Sequence, residues 1–327
     1  MSTAPPPRPG PVVCIGETMA ALAPDPVAPL DTAELLRLDI AGAESNVAMY
    51  LADHGVRTRW VSALGDDPFG RRVRERIAAS GVDVSGVRTD PARPTGLLVK
   101  NPGTDATGVH YYRTGSAASA LGPGILDEPA LRGAGLVHLT GITPALSASC
   151  RALVERALSA ERPYGVSFDV NHRPALWGAE PAAEILLSLA ARADIVLVGL
   201  DEAQTLWGGT PADDTGPDEV RALLPQPRVL VVKDGARAAT AYVGPDTYTV
   251  RAPKVRVIEP VGAGDAFAGG FLAGLLRYGD PVRALRLGHL TAASALRVTA
   301  DHGPLPPPHR TRELLAADET AWNALTV

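Results

Sequence analysis

The chain has 327 residues, of which 46% are hydrophobic, and a formal net charge of −5 at pH 7. This length allows one large α/β domain or two smaller ones, and the hydrophobic content permits a sizeable core. The negative charge argues against a nucleic-acid or membrane-surface partner. No apolar run reaches transmembrane length, residues 1–11 lack the basic and apolar regions of a signal peptide, and two cysteines are too few for a disulfide framework. We therefore expect a cytoplasmic protein.

Short apolar runs alternate with amphipathic stretches along most of the chain. After a Pro-rich segment at 1–11, expected to be disordered, residues 12–15 predict a central, fully buried strand. Further strands are predicted at 60–64, 136–139, 165–169, 195–198 and 229–232. Helices are predicted at 45–54, 69–80, 147–160, 181–192, 217–224, 265–277, 281–299 and 310–317. This alternation indicates a mostly parallel sheet covered by helices on both faces.

Two regions, 18–40 and 95–115, interrupt the alternation. In the second region, residues 95–99 and 109–113 predict the two strands of a hairpin, because a turn-rich stretch separates them. A Pro-rich stretch near residue 305 precedes the last predicted helix. Residues 318–327 are expected to form a C-terminal tail.

The stretch from Glu259 to Phe271 carries the strongest chemical signal. A Gly262-Ala263-Gly264 turn leads into a helical pattern, and Asp265 lies at the junction. Free backbone N–H groups at a helix start bind anions, and a carboxylate there can take a proton from a hydroxyl nucleophile. The combination suits phosphoryl transfer from a nucleotide to an alcohol.

Alternative interpretations of this stretch are limited. Gly270 and Gly274 also fit a helix packed closely against its neighbours, but that does not account for the turn before them. None of the three lysines precedes Ser or Thr, so a Walker A loop is absent. Phe267 stands where the third glycine of a dinucleotide fingerprint would be, which excludes that motif.

The turn closely resembles the C-terminal signature of the ribokinase-like (PfkB) sugar kinases. This resemblance implies an α/β, three-layer sandwich over residues 12–317, with a mostly parallel sheet and a small β-sheet lid formed by 18–40 and 95–115. It implies that Asp265 is the catalytic base and that Gly262, Ala263 and Gly264 supply the amides of an anion hole. It also implies ATP and Mg²⁺ as cofactors. Most members have Asp-Thr before the turn, where this chain has Glu259-Pro260.

Residues of the expected sugar site come from the N-terminal part of the chain. Glu17 follows the first strand, where ligands bind in open α/β sheets, and it either accepts hydrogen bonds from sugar hydroxyls or is an ordinary loop carboxylate. Residues 41–46 resemble the family's Gly-Gly-x-x-x-Asn signature. Gly42 would let the backbone approach the sugar and Asn46 would bond its hydroxyls. Simple helix initiation by Ser45 or Asn46 is the alternative.

Two further runs resemble segments of sugar-acid kinases. Residues 111–119 are similar to the Tyr-Tyr-Arg-x-Gly-Ser-Ala-x-Ser segment of 2-keto-3-deoxygluconate kinases. That similarity implies that Tyr111 covers or bonds the sugar acid and that Arg113 meets its carboxylate. Residues 169–177 resemble a run shared with fructokinase-like enzymes. Here Arg173 would hold a carboxylate or phosphate bidentately, and Asn171 would orient the phosphate end.

The expected nucleotide and metal residues lie in the second half of the chain. The Lys233-Asp234-Gly235-Ala236 segment resembles the family's Lys-x-Gly-x loop, in which Gly235 and Ala236 offer backbone contacts to ATP. Lys233 considered alone fits a surface cation equally well. Glu202 stands where the family has the Glu of Asn-x-x-Glu, which is associated with magnesium. The alternative is a solvated carboxylate at a helix start.

These resemblances imply ATP-dependent phosphorylation of 2-keto-3-deoxy-D-gluconate at its terminal hydroxyl, with a small-molecule sugar acid and ATP as partners, and a homo-oligomeric assembly is expected. One alternative is a kinase for a neutral sugar such as fructose or ribose. Another is a catalytically inactive member of the family that senses sugar.

Overall fold

The computed structural model of the protein describes residues 8–103, 107–208 and 216–327. The strands are β1 Val12–Ile15, β2 Met19–Pro24, β3 Leu36–Ala41, β4 Thr58–Gly65, β5 Val87–Asp90, β6 Leu97–Pro102, β7 Thr107–Tyr112, β8 Leu136–Thr140, β9 Gly165–Asp169, β10 Ile195–Gly199, β11 Val229–Asp234, β12 Ala238–Val243 and β13 Asp246–Arg251. The α-helices are α1 Ala43–Asp53, α2 Pro68–Ala79, α3 Thr143–Leu146, α4 Ala148–Ala157, α5 Ala179–Ala190, α6 Leu200–Trp207, α7 Pro217–Leu223, α8 Ala263–Tyr278, α9 Pro281–Leu296, α10 Pro308–Ala316 and α11 Glu319–Asn323.

The main sheet has the strand order β13-β12-β11-β10-β9-β8-β1-β4-β5. Its strands from β11 to β5 pair in parallel, and β12 and β13 add an antiparallel hairpin at one edge. β1 pairs with β4 on one side and with β8 on the other, so the direction in which strands are added reverses there. Open α/β sheets bind ligands beyond the carboxyl ends of strands at such a reversal.

Helices cover both faces of this sheet. Along β1, Val13 and Ile15 belong to the apolar cluster on one face, and Val12 and Cys14 belong to the cluster on the other. Alternation with a period of two is the geometry of a strand buried on both sides. The first cluster is completed by α4 and α5, and the second by α1, α8 and α9. The predicted three-layer sandwich with a mostly parallel sheet is therefore confirmed.

The two interrupting regions supply a separate four-stranded sheet, β3-β2-β6-β7, which we call the lid sheet. β6 and β7 form the predicted antiparallel hairpin, with Leu98 opposite Tyr111 and Lys100 opposite Val109. β6 also pairs in parallel with β2. The predicted lid segments 18–40 and 95–115 thus meet in space although they lie far apart along the chain.

The structure adds elements that the sequence patterns did not predict, among them α6 and the β12–β13 hairpin. The expected C-terminal tail at 318–327 contains α11, in which Trp322 is only 2% exposed. The Trp322 indole N–H donates to the carbonyl of Arg251 at 2.9 Å, so this segment packs on the main body. Of the segment 1–11, residues 1–7 lie outside the described residues. Within the described part of the chain, no helix is long and apolar enough to cross a membrane.

Candidate active site

The turn that begins α8 depends on a glycine. Gly262 is the N-cap residue and has a φ of 84°, in the left-handed region that favours glycine. A Cβ at Gly262 would also lie 2.8 Å from the carbonyl oxygen of Asp301. The turn exposes the first amides of α8, which have no acceptor within the helix. These are the amides that we predicted as an anion hole.

Asp265, in the first turn of α8, is held by two amide side chains. Asn46 Nδ2 donates to its Oδ2 and Asn171 Nδ2 donates to its Oδ1, each at 3.0 Å. Asn171 has a φ of 41°, which is uncommon for a residue other than glycine and is often found at functional sites. The side-chain oxygens of Asn46 and Asn171 are buried and have no hydrogen-bond partner among the described residues.

A cleft beside Asp265 lies between the lid sheet and the carboxyl ends of the main strands. We call it the sugar-side cleft. Its volume is about 80 Å³, and the lid contributes Met19, Leu98 and Lys100 to its wall. The structure brings all the predicted substrate residues to this cleft, namely Glu17, Gly42, Asn46, Tyr111, Arg113, Arg173 and Asp265. Gly42 is packed so closely that a Cβ would meet the carbonyl oxygen of Glu17 at 2.5 Å.

Arg113 forms a buried ion pair with Glu17. Its Nε and Nη2 lie 2.7 and 2.5 Å from Glu17 Oε2, and Ser116 Oγ donates to Glu17 Oε1 at 2.5 Å. The pair joins the end of β7 to the end of β1. The charge of Arg113 is therefore already balanced within the protein, which the sequence did not reveal. Glu17 is not an ordinary loop carboxylate, because it is buried in this pair.

Arg173 is the more open cation of the cleft. Its side chain is 40% exposed, and its Nη1 lies 3.7 Å from Glu202 Oε1. Its Nη1 also donates to the carbonyl oxygen of His172 at 3.1 Å, and the 3.7 Å separation from Glu202 is too long for a hydrogen bond, so Arg173 has no close anionic partner. The arrangement makes Arg173 better placed than Arg113 to receive the carboxylate of a ligand.

A second ion pair, between Lys100 and Asp301, was missed by the sequence reasoning. Lys100 Nζ lies 2.9 Å from Asp301 Oδ1, and both side chains are buried and line the sugar-side cleft. In the sequence, Lys100 carries no motif of its own, because no Ser or Thr follows it. Its position two residues after Leu98 on a strand would have placed both side chains on one face. Asp301 follows α9 in a stretch without a motif, so no sequence signal marked it.

Glu44 is a further buried carboxyl group, in the first turn of α1. Its Oε1 accepts hydrogen bonds from Thr140 and Thr143 at 2.7 and 2.8 Å, while its Oε2 has no partner in the part of the chain that the structure describes. Burial raises the pKa of Glu44 to about 7, with a smaller contribution from the charge of Asp265, although both threonines oppose the rise. Glu44 therefore titrates close to neutral pH.

A second and larger cleft, of about 710 Å³, lies on the other side of the turn. Its wall includes Lys233, Gly235, Ala236 and Gly264, which places the residues predicted for ATP together. Lys233 Nζ contacts both carboxylate oxygens of Asp169, at 2.8 and 3.1 Å. Burial alone lowers the pKa of Lys233, but the negative charges of Asp169 and Glu202 outweigh this effect and raise it. Lys233 is thus a paired site residue and not a surface cation.

Glu202 lies close to this cleft and caps α6. Its Oε2 accepts from the Gly199 amide at 2.8 Å, and its side chain is mostly buried. Burial raises the pKa of Glu202, Lys233 lowers it and Asp169 raises it, so two carboxyl groups share one ammonium. Mg²⁺ in nucleotide sites usually binds one or two carboxylates, substrate phosphates and water. Glu202 fits that pattern as a single carboxylate, whereas both oxygens of Asp169 contact Lys233, and the described residues contain no group of three metal-binding side chains.

Asp265 and its turn form the boundary between the two clefts. Gly262 and Asp265 line the sugar-side cleft, whereas Ala263 and Gly264 line the larger one. A phosphoryl group that passes between the clefts would therefore cross the amides at the start of α8. This geometry suits transfer between two ligands that are bound at the same time.

Comparison with known proteins agrees with this geometry. A 2-dehydro-3-deoxygluconokinase of Thermoproteus tenax is 36% identical over 311 residues, 94% of each chain. A protein of the same name from Bacillus subtilis (strain 168) is 32% identical over 316 residues, 94% of this chain and 96% of the other. Aminoimidazole riboside kinase from Salmonella enterica, solved with aminoimidazole riboside and an ATP analogue, is 25% identical, with a TM-score of 0.76 over 93% of this chain and 99% of the other. Residues 11–307 match the model of the pfkB family carbohydrate kinases, and the chain belongs to that family.

Proposed function

We propose that this carbohydrate kinase transfers the γ-phosphoryl group of ATP to the terminal hydroxyl of 2-keto-3-deoxy-D-gluconate and gives the 6-phosphate. The observation that carries the proposal is the position of Asp265 at the start of α8, where the two clefts meet. The substrate is supported by the two relatives named for 2-dehydro-3-deoxygluconate, which is the same sugar acid.

In this mechanism Asp265 is the general base. The hydroxyl oxygen of the sugar attacks the γ-phosphorus of ATP, its proton passes to an Asp265 carboxylate oxygen, and ADP leaves. Asn46 and Asn171 hold the two carboxylate oxygens and fix their orientation towards the sugar-side cleft. The amides of residues 262–264 stabilise the negative charge of the phosphoryl group as it passes the turn.

The nucleotide occupies the larger cleft in this proposal. Gly235 and Ala236 border it, and the solved kinase with a bound ATP analogue supports a nucleotide on this fold. Mg²⁺ would be held by Glu202 together with ATP phosphates and water, and it would neutralise phosphate charge. Lys233 keeps Asp169 in position through its ion pair.

The carboxylate of the sugar acid is assigned mainly to Arg173. Arg suits carboxylates because its planar donors can bind both oxygens, and the anionic partner of Arg173, Glu202, lies 3.7 Å away. Arg113 contributes as a second cation whose charge is shared with Glu17, and Tyr111 packs beside it with the guanidinium 5.6 Å from the ring centre.

The paired charges also support an alternative function. Arg113 is balanced by Glu17 and Lys100 by Asp301, so much of the positive charge in the sugar-side cleft is neutralised. A kinase for a neutral sugar is therefore the second candidate, because such a substrate needs no free cation. With a neutral sugar bound, Lys100 and Arg113 would keep their close anionic partners, and Arg173 would be the cation of this cleft without one.

A substrate panel distinguishes the two functions. Initial rates should be measured with ATP and Mg²⁺ for 2-keto-3-deoxygluconate, its galactonate epimer, fructose and ribose. We expect the sugar acids to be preferred in kcat/KM, and we expect Arg173→Leu to remove most of that preference with little change in KM for ATP. Loss of one partner of such a charged contact typically costs about 2–5 kcal/mol. Equal rates for fructose and the sugar acid in the wild type would favour the neutral-sugar function.

We also propose that the chain forms a homo-oligomer. Large apolar side chains are exposed in the lid segments, including Val27, Leu35 and Tyr112. Exposed apolar groups are a common feature of protein–protein contacts, and here they lie at both edges of the lid sheet, beside β3 and on β7. Sedimentation velocity of the wild type and of a Leu35→Ser, Tyr112→Ser double variant tests this, since we expect the variant to dissociate. A wild type that sediments as a monomer would contradict it.

A further inference from the structure

Lys100 is an unusual residue in this chain. Of 31 Lys and Arg residues only three are lysines, and Lys100 is 6% exposed on a lid strand. A buried ammonium group is unfavourable unless it is paired, and here the pair is made with a residue of the main body, Asp301. An ammonium is a compact point charge, whereas a guanidinium needs room for a planar group. Position 100, on the lid side of the sugar-side cleft, therefore suits a compact positive charge that is held in one place.

The pair connects the lid to the turn that carries the catalytic groups. Lys100 Nζ lies 2.9 Å from Asp301 Oδ1 and 3.4 Å from the carbonyl oxygen of Thr299. The backbone of Asp301 packs against Gly262, where a Cβ would lie 2.8 Å from the Asp301 carbonyl oxygen. Anything that displaces Asp301 therefore displaces the start of α8.

Asp301 is also connected to the proposed base through Asn46. Burial raises the pKa of Asp301, while Lys100 and a hydrogen bond from Asn46 oppose that rise. Asn46 Nδ2 in turn donates to Asp265 Oδ2 at 3.0 Å. Lys100, Asp301, Asn46 and Asp265 all line the sugar-side cleft, with Lys100 paired to Asp301 and Asn46 bonded to Asp265.

We propose that Lys100 is a positioning residue for phosphoryl transfer, which holds the Asp301 side chain in place beside Asn46 and Gly262 when the lid is closed and so aligns Asp265 with the sugar hydroxyl. This inference rests on the proposed function for the identity of the base. It assigns a catalytic consequence to lid closure, because the ammonium reaches Asp301 only from the lid. Small errors in the alignment of reacting groups reduce turnover strongly.

Several other charged or titratable side chains lie near this pair and bear on its pH dependence. Glu17, Arg113, Arg173 and Asp265 line the same cleft, Arg37 contacts Thr299 from the lid, and Tyr50, Asp53 and His302 lie behind Asp301. Among them, Arg37 offers a matched control. Its Nη2 donates to Thr299 Oγ1 at 2.6 Å, so it joins the lid to the same segment without contact to Asp301.

The experiment compares Lys100→Met, Lys100→Arg and Arg37→Met in the full chain, on the sugar that the wild type phosphorylates fastest. We expect Lys100→Met to lower kcat by about 10–10²-fold with KM for ATP within twofold of the wild type. The acid limb of its kcat/KM profile should move to higher pH, because Asp301 loses the cation that opposes its protonation. Lys100→Arg should recover part of kcat and keep the acid limb. Arg37→Met should leave the acid limb unchanged.

A double-mutant cycle with Asp301→Asn provides the second measurement. If the two residues act as one unit, Lys100→Met should add little to the loss of kcat already caused by Asp301→Asn. Additive losses, an unchanged acid limb, or a rise in sugar KM with unchanged kcat would each overturn the proposal. The test can use any sugar that the enzyme phosphorylates. It therefore stays valid even if 2-keto-3-deoxygluconate is not the substrate.

Discussion

At the scale of single residues, the site is built from carboxylates whose neighbours differ in kind. Asp265 is held by two neutral amides, Glu17 by a guanidinium and a hydroxyl, and Asp301 by an ammonium. Glu44 has only two hydroxyl donors on one oxygen. The protonation state of a carboxyl group depends on such neighbours, because a nearby cation favours the ionised form and burial disfavours it. Carboxyl groups in one site can therefore have different roles.

The first residue-scale prediction concerns the proposed base. Asp265→Asn keeps the size of the side chain and should fold and bind ATP, but it cannot accept the hydroxyl proton. We expect kcat to fall by about 10²–10⁴-fold. Steady-state kinetics on purified protein, with thermal melting as the control for folding, measures this. Turnover close to that of the wild type would remove Asp265 from the mechanism.

The second residue-scale prediction concerns Glu44. Its pKa is raised from 4.5 to about 7, so the native state binds a proton more tightly than the unfolded state. The free energy of unfolding should therefore fall as the pH rises from about 4.5 to 7, by about 3 kcal/mol in total for this group. Glu44→Gln should remove that fall, because the amide oxygen still accepts from the threonines and carries no charge.

Urea denaturation of the wild type and Glu44→Gln at several pH values between 5 and 8 measures this difference. The exposed Glu155 on α4 provides the matched control through Glu155→Gln. A stability difference between the wild type and Glu44→Gln that does not change with pH would show that Glu44 stays ionised throughout.

At the scale of elements, helix α8 contributes both to the candidate site and to the packing of helices. Its first turn carries Asp265, and its later glycines allow α9 to approach closely. A Cβ at Gly270 would meet the Leu287 carbonyl oxygen at 2.6 Å, and one at Gly274 would meet the Ala284 Cα at 2.6 Å. The close-packing explanation for these two glycines is therefore correct, whereas Gly262 is needed for the shape of the turn.

The element-scale prediction follows from these distances. Gly270→Ala should destabilise the protein by about 1–3 kcal/mol, because overpacking between helices outweighs the gain of about 1 kcal/mol in helix propensity. Gly124→Ala, where a Cβ meets nothing within 4 Å, should change stability little. Denaturant unfolding of both variants checks the difference. A Gly270→Ala protein as stable as the wild type would mean that α9 can move away.

At the scale of the whole molecule, the lid sheet and the main body enclose two adjacent clefts. Lid residues reach the body through Lys100, Arg113 and Arg37, and their partners all lie beside the sugar-side cleft. Closure of such a site excludes water and limits wasteful hydrolysis of ATP. The two ligands should therefore stabilise the closed form together.

The whole-molecule prediction is measured by thermal melting. ATP with Mg²⁺ should raise Tm. The unphosphorylated sugar substrate, added together with a non-hydrolysable ATP analogue, should raise Tm further than either ligand alone. NAD⁺ serves as the control and should leave Tm unchanged, because the dinucleotide fingerprint is absent. Stabilisation by NAD⁺ but not by ATP would contradict the assignment of the larger cleft to ATP.

The sequence by itself determined the alternation of strands and helices, the lid hairpin and the Gly262–Asp265 turn. These features depend on local periodicity and on backbone requirements that a short segment expresses alone. The sequence also predicted that residues near strand ends, such as Arg173 and Lys233, lie at one edge of the sheet, because the carboxyl ends of parallel strands meet there. The sequence did not reveal α11 as part of the packed body, because the burial of Trp322 depends on a distant strand.

Only the tertiary structure decided which charges are already paired. Arg113 and Glu17 are 96 positions apart in the sequence, and Lys100 and Asp301 are 201 apart. Neither separation leaves a local pattern, because an ion pair needs only that two side chains meet in space. In the folded protein, Arg173 is the more open cation of the sugar-side cleft, and Lys100 is part of the site. The reason is that the free energy of a buried charge depends on the partner that the fold places beside it.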